Sequence, residues 1–403
     1  MTTPWWGMAP TLEEHTLPDA AEFIVVGGGI VGLSTAYWLA RAGAAPLLLE
    51  REGIGAGATG RNGGFLPVGT AEDYDASVAR LGRDRARALL SLTLENRRLA
   101  DELFGVEEID CDLRPCGHLH LALDDHEQQV NRGLAALLTE DGCRTDYLDR
   151  AGAQAMVATR FGPRITGGLY FRDIGLLHSG KLVRGLAAAA VRRGAILTRA
   201  AVQEIDGRQG RTRLVTDRGA VDGGAVAIAV NAWTGSLLPA LRPMITPVRG
   251  QVLATAPIKP VFRTGMTALT TATEEYWQQA PDGSIILGGC RAIRPDRDER
   301  VLDVTPTEDV QSALERVLPG LFPEIGPLRV THRWAGTMAF TRDRLPIAAP
   351  LPGSNGWAVG GFSGNGMSLG LIFGRILADA LLGRPADPRL SIFAPERFSG
   401  APE

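Results

Sequence analysis

The sequence predicts an α/β fold, with a Rossmann-like dinucleotide-binding domain assembled from separated segments and a β-rich second domain interleaved between them. Three observations carry this reading. Residues 23–50 form one complete strand–helix–strand unit around a glycine turn. A second strand, glycine-dense turn and helix close the chain between Trp357 and Leu382. Between these ends, helix-linked pieces alternate with antiparallel-looking stretches.

Phe23 to Val26 is an apolar run of the length of a buried parallel strand. Gly27, Gly29 and Gly32 follow as G-x-G-x-x-G, and Leu33 to Ala42 continues with apolar residues at helical spacing. The first glycine permits the tight turn, the second lets the backbone approach a pyrophosphate, and the third lets helix and strand pack closely. Ile30 and Val31 stand at the helix N-terminus that faces the anion. Pro46 to Leu49 reads as the second strand, and Glu50 at its end is placed to accept hydrogen bonds from a ribose diol, with Arg51 beside it.

Composition narrows the function classes. At 403 residues and 45% hydrophobic the chain can bury two cores. A net charge of −3 without a long basic run argues against nucleic acid and against an anionic membrane surface. No apolar stretch is long enough for a membrane span, and Met1 to His15 lacks a basic segment followed by an apolar one, so a cytoplasmic protein is expected. Cys111, Cys116, Cys143 and Cys290 show no C-x-x-C spacing, which leaves reduced thiols and no zinc site. Residues 1–21 read as an extended arm that Trp5 and Trp6 would pin by surface packing.

Arg83 to Leu103 has helix-forming composition, with Arg85, Arg87, Arg97 and Arg98 expected on a solvated face. Cys116 to Leu123 alternates like a strand, which puts His118 and His120 on one face; with no third ligand candidate nearby they read as ordinary sheet residues, and no metal is expected. Lys181 to Arg193 reads as an amphipathic helix before the strand Ala195 to Thr198. Val202 to Ile205 and Arg213 to Thr216 form a meander, and Ala225 to Asn231 is a buried strand. Tyr276 to Gln279, the turn at Pro281 to Gly283, and Ile285 to Gly288 make a hairpin.

Three further segments make the dinucleotide reading specific: Gly57-Ala-Thr-Gly-Arg-Asn-Gly-Gly64, Val230-Asn-Ala-Trp-Thr-Gly235 and Gly361-Phe-Ser-Gly-Asn-Gly-Met367. With the opening unit they resemble the D-amino-acid oxidase, glycine oxidase and sarcosine oxidase superfamily of FAD enzymes, from about Phe23 to about Leu382. The first of them, together with Leu177 to Leu186, looks most like the γ-glutamylputrescine oxidase branch. The resemblance implies FAD-binding segments at 22–105, 173–245 and 333–385, and substrate-domain segments at 106–172 and 246–332.

It further implies that Thr59, Gly60, Arg61, Asn62, Gly63 and Gly64 run beside the ribityl chain and flavin. Val202 would meet the adenine, and Asn231, Ala232 and Trp233 belong to the same cofactor set. Gly361, Gly364, Asn365, Gly366 and Met367 would present N–H groups and a helix dipole to the flavin. The catalytic candidates are Tyr276, Met338, Phe340 and Asn365, with Trp277 and Phe362 completing an apolar pocket. Asp343 would anchor a turn near the ribityl chain.

Departures from the family pattern carry information too. Met338 falls where glycine and D-amino-acid oxidases hold the substrate carboxylate with an arginine, and where sarcosine oxidases link flavin through a cysteine. Arg61 falls near the flavin-linking histidine of dimethylglycine dehydrogenases, so FAD is expected to be non-covalent. Ile286 takes the place of an oxygen-activating lysine, and the chain's two lysines, Lys181 and Lys259, lie elsewhere. Arg61 and Arg291 are the candidates for any carboxylate. The resemblance therefore implies oxidation of the C–N bond of a small-molecule amine or amino acid by hydride transfer to flavin N5. The imine is hydrolysed and electrons pass to molecular oxygen, giving hydrogen peroxide. The alternative is a dehydrogenase that passes electrons to a quinone or protein acceptor.

Overall fold

The computed structural model describes residues 12–399 apart from Gln209. Trp5 and Trp6 lie outside the described residues. Two eight-stranded sheets and a short two-stranded one organise the chain.

The first sheet runs in the order Ile347–Pro350, Asn355–Gly360, Gly219–Ile228, Ala20–Val26, Leu47–Glu50, Ile196–Arg199, with Val202–Arg208 and Arg211–Thr216 folded back on its third strand. The strands from Asn355–Gly360 to Ile196–Arg199 pair in parallel. Parallel strands are covered on both faces, and Ile24, Val25 and Val226 accordingly have no exposed surface. The strand expected to reach Asn231 stops at Ile228; Asn231–Trp233 turns out of the sheet as a 3₁₀ helix, with Asn231 at φ 45°.

Helix Ile30–Arg41 is the hub of one face, packed by Ser179–Arg192 and Gly366–Leu381. The C-terminal helix lies so close that a Cβ on Gly370 would stand 2.5 Å from Ile30 Cγ2, and one on Gly374 would stand 2.3 Å from Ser34 Cβ. The long helix Arg83–Val106 corrects one expectation. Arg85, Arg87 and Arg98 are exposed, whereas Arg97 is buried: its Nε donates to Asp173 O at 3.0 Å and its guanidinium pairs with Asp101. A long stem lets an arginine lie across an apolar face while its head finds oxygen.

The second sheet orders Val330–Phe340, Thr246–Thr255, Ile285–Gly288, Glu275–Gln279, Gly265–Ala268, His118–Ala122, Gly167–Phe171 and Thr145–Asp149. All neighbours are antiparallel except the parallel pair Gly265–Ala268 and His118–Ala122. The expected hairpin is present, Trp277 facing Leu287 across it. The segment expected to rejoin the dinucleotide domain at 333 starts inside Val330–Phe340, a strand of this second sheet, so the sheets are joined through a strand the sequence reading divided.

Alternation along Glu275–Gln279 decides which side chains meet the site. Tyr276 and Gln278 face one way. Trp277 faces the other, fully buried against Phe262 and Phe322 beneath helix Glu308–Leu321, so it is not part of the expected pocket.

Candidate active site

A cavity of about 1190 Å³ lies between the two sheets. Its first-sheet wall is mostly backbone. Gly27 to Val31 and Glu50 line it, as do most of the Gly57–Gly63 loop, Asn231 and Trp233, and Gly364 to Met367. Its second-sheet wall is side chain: Tyr276, Met338 and Phe340, with Arg291 behind them.

The opening turn divides its glycines by role. A Cβ on Gly32 would stand 1.9 Å from Gly27 O, and one on Gly27, at φ 112°, would stand 2.6 Å from Ala229 O. Both are demanded by the protein's own packing. A Cβ on Gly29 would meet nothing nearer than Thr59 Oγ1 at 3.4 Å. What requires a glycine there is space for a group inside the cavity. Glu50 stands beside it, its Oε2 accepting from Gly28 N at 2.7 Å and its Oε1 from Glu52 N at 2.8 Å. The helix that starts at Ile30 has no acid in its first turn, which leaves its N-terminal dipole uncancelled for an anion. Thr59 Oγ1 accepts from Ile30 N at 3.1 Å and ties the turn to the next loop.

That next loop, Gly57 to Gly64, is held from several directions. Arg61 donates through Nε to Ala56 O (2.8 Å) and through Nη1 to Ala335 O (3.1 Å), while Trp334 Nε1 donates to Arg61 O at 2.9 Å. Burial pulls the Arg61 pKa below its usual value. Asn62 Nδ2 donates to Thr59 O, and its Oδ1 accepts from Gly64 N and from Ser179 Oγ. Gln278 Nε2 donates to Gly63 O (2.6 Å) and Gly64 O (2.9 Å), its own oxygen accepting from Arg114 Nη2. Gln278 and Arg114 escaped the sequence reading. The period-2 rule, applied two residues on from Tyr276, would have found the first.

The C-terminal turn is built alike. Asn231 Oδ1 accepts from Gly361 N at 3.1 Å, and Ser363 N donates to Ala339 O at 2.7 Å. Asn365 precedes helix Gly366–Leu381, whose first turn also lacks an acid. Gly364 is exposed, and Cβ atoms there or on Gly366 would meet nothing within 3.6 Å, the nearest being Met338 Sδ and Phe362 Cβ at 3.7 Å. Arg51 stacks 4.8 Å over Trp233, and both line the cavity, as does Val202.

Five of the expected cofactor residues do not line the cavity. Gly32, Gly60 and Gly64 serve the backbone behind it; a Cβ on Gly60 would stand 2.4 Å from Gly55 O. Ala232 is buried, and Gly361, at φ 74°, makes the turn. Ile286 is likewise behind the wall, packed with Val252 and Trp334, so a lysine there would be buried in an apolar cluster rather than placed in the cavity. Asp343 anchors its turn as expected, gripped by Arg397 Nε at 2.7 Å. His178 caps helix Ser179–Arg192 by accepting from Lys181 N, and His332 is exposed on its strand. Among the described residues no group of His, Cys, Asp or Glu is arranged to hold a metal.

The family model described as FAD dependent oxidoreductase matches residues 22–380. The chain belongs to this family. It is 30% identical over 387 residues to the gamma-glutamylputrescine oxidoreductase of Escherichia coli strain K12, covering 93% of this chain and 85% of that one. It is 27% identical over 370 residues to the glycine oxidase of Pseudomonas aeruginosa, covering 90% and 94%. In fold it is similar to the crystal structure of glycine oxidase from Geobacillus kaustophilus, with a TM-score of 0.79 at 22% identity over 95% of this chain and 100% of that one. The superfamily and branch that the glycine segments resemble are thus those the relatives represent, and the protein is an FAD-dependent oxidoreductase of the amine and amino-acid oxidase kind.

FAD fits what the cavity offers. The glycines at 29, 364 and 366 leave room that no protein atom fills, two helix N-termini without acids suit the diphosphate and the flavin, and Glu50 suits a diol. No helix among the described residues is long and apolar enough to cross a membrane.

The two kinds of glycine should separate by mutation. Gly32→Ala is expected to destabilise the apoprotein by about 1–3 kcal/mol, because backbone must move. Gly29→Ala is expected to leave apoprotein melting unchanged and weaken FAD binding by about 1–3 kcal/mol. Thermal melts of apoprotein with FAD titrations distinguish them. A second outcome concerns His118, which lines the cavity and is 8% exposed, its Nε2 2.6 Å from Thr267 Oγ1. Burial, helped by His120, pushes its pKa down from 6.5 to about 3. The unfolded chain therefore takes up a proton first, and stability falls as pH drops from 6.5 towards 3. His118→Gln should flatten that part of the curve of melting temperature against pH.

Proposed function

We propose that this protein oxidises the C–N bond of an amine or amino acid and passes the electrons to molecular oxygen. Amine, oxygen and water give a carbonyl compound, the released amine or ammonia, and hydrogen peroxide. The observation that carries the reading is the composition of the two walls. Glycine-rich turns and two helix N-termini without acids line the cavity from one side, and Met338, Phe340 and Tyr276 bring an apolar surface to it from the other, with the cation Arg291 beside them. FAD supplies the hydride acceptor when bound.

The chain's own groups do the rest. Met338 and Phe340, two residues apart on one strand, keep water from an amine and favour its neutral, reactive form. Tyr276 is walled by Phe65 and by Gly63 and Gly288, where any Cβ would strike its ring. Burial raises its pKa to about 12, so the hydroxyl stays a donor through the working range. Asn365, at the N-terminus of the last helix, lies across the cavity from Tyr276 and is read as a contact to the flavin side. FAD is held without a covalent link in this reading, which is supported by Arg61 and Met338, neither a nucleophile, standing where relatives carry their linking residues.

The purified protein should be yellow and should release intact FAD into the supernatant on acid precipitation. With a bank of amines, N-alkyl glycines and D-amino acids, flavin bleaching without oxygen identifies the substrate. Peroxide formed in step with substrate lost supports the oxidase, whereas turnover only with an artificial acceptor makes it a dehydrogenase. For Tyr276→Phe, we expect a lower kcat/KM by about tenfold, the effect of one hydrogen bond. The shape of the pH–rate profile should not change, because Tyr276 does not titrate within it.

A further inference from the structure

Arg291 has no use in the fold. Its half-buried guanidinium lines the cavity and stacks 5.1 Å over the Phe340 ring. Among the described residues no carboxylate forms an ion pair with it and no group accepts its hydrogen bonds. Phe340 Cζ and Met338 Sδ both reach to within 3.8 Å of where a Gly364 Cβ would be, so this cation stands beside the turn that begins the last helix. Arg297 and Arg344 also line the cavity, and of the charges felt by Arg291 that of Glu299 is the largest, although the two form no ion pair. Burying a charge without a partner is costly unless the partner arrives with a ligand.

The segment that carries Arg291 is built to hold it. Cys290, Arg297, Asp298 and Arg300 all have φ between 50° and 61°, a conformation non-glycine residues seldom adopt. Asp298, fully buried, fixes this strained path. Its carboxylate accepts from Arg249 Nη2 at 2.7 Å and from Gln251 Nε2 at 2.9 Å and forms an ion pair with Arg294, and its carbonyl accepts from Arg249 N at 2.9 Å. Arg249 and Gln251 belong to strand Thr246–Thr255, so the clamp ties the segment to the second strand of the second sheet.

We infer that Arg291 is the anion subsite of the substrate pocket, that it binds a carboxylate borne by the substrate, and that Asp298 is its positioning residue. The inference rests on the proposed oxidation only for the word substrate, since carboxylate binding can be measured without turnover. A planar guanidinium with its face on an aromatic ring has its edge free for a bidentate pair with a carboxylate.

The test uses the FAD-loaded protein, butanoate as probe and butanamide as its uncharged counterpart, with binding read from perturbation of the flavin absorption band. Butanoate should bind more tightly than butanamide. Arg291→Met should weaken butanoate about ten- to a hundredfold, the loss expected for charge-assisted hydrogen bonds, and leave butanamide and FAD retention unaltered. Arg291→Lys should recover part of the difference. Asp298→Asn should also weaken butanoate selectively; an equal loss for both ligands would reduce Asp298 to a structural role and overturn that part. If Arg291→Met binds butanoate as the wild type does, or the wild type does not prefer it to butanamide, the subsite is refuted. Arg291-dependent butanoate binding in a protein that no amine reduces would sink the oxidation reading alone.

Discussion

The loop from Gly57 to Gly64 lines the cavity, and several of its carbonyls are paired by residues far away in the chain. Ala58 O and Thr59 O are paired within the loop, by Arg61 N and Asn62 Nδ2, but Arg61 O takes Trp334, Gly63 O takes Gln278, and Gly64 O takes Gln278 and Leu177 N. Buried carbonyls left unpaired would each cost about 1–3 kcal/mol. The loop therefore takes its shape only when the second sheet is in place, and the two sheets are joined where the cofactor lies. Arg61 makes the junction reciprocal by reaching back to Ala335 O across Gly336, where any side chain would collide with its Cβ at 2.8 Å.

The last helix is set by a comparable device. Asn96, fully buried in helix Arg83–Val106, donates to Met367 O and accepts from both Leu371 N and Ile372 N. It fixes the rise of that helix within its first turns, while Gly370 and Gly374 fix its distance from helix Ile30–Arg41. The dipole ends of both helices are thereby aimed into one cavity by packing rather than by any residue in the cavity.

Much of this was legible in the sequence because it depends on local rules. A βαβ unit with its glycines, the Tyr276–Gln279 and Ile285–Gly288 hairpin, and the glycine turn before the last helix all announce themselves by spacing. The expectations for Arg97, Trp277 and Ile286 failed for one shared reason. Each concerns which neighbour a side chain meets across sheets or helices, and that is a long-range fact. Gln278 shares the face of Tyr276 by the period-2 rule, but its role was hidden because its partner is a loop more than two hundred residues away. The break in the strand at Ile228 was hidden because only the left-handed turn at Asn231 interrupts an apolar run. Arg291 could be named as a candidate, but that it makes no ion pair among the described residues could not be read from the chain.

A division of labour follows from where the two walls come from. The cofactor wall is backbone, and backbone contacts change little when side chains are exchanged. The facing wall is presented at alternate positions of strands Val330–Phe340 and Glu275–Gln279 and by the Arg291 segment, where each side chain can be replaced without breaking a ladder. Gly336 is the exception on the first of these strands, held by Arg61. Beyond it Met338 and Phe340 line the cavity, and Arg291 stacks on the second of them. In the proposed reading, substrate specificity is free to change where this apolar strand meets an independently clamped cation, without disturbing the loop that holds both sheets together.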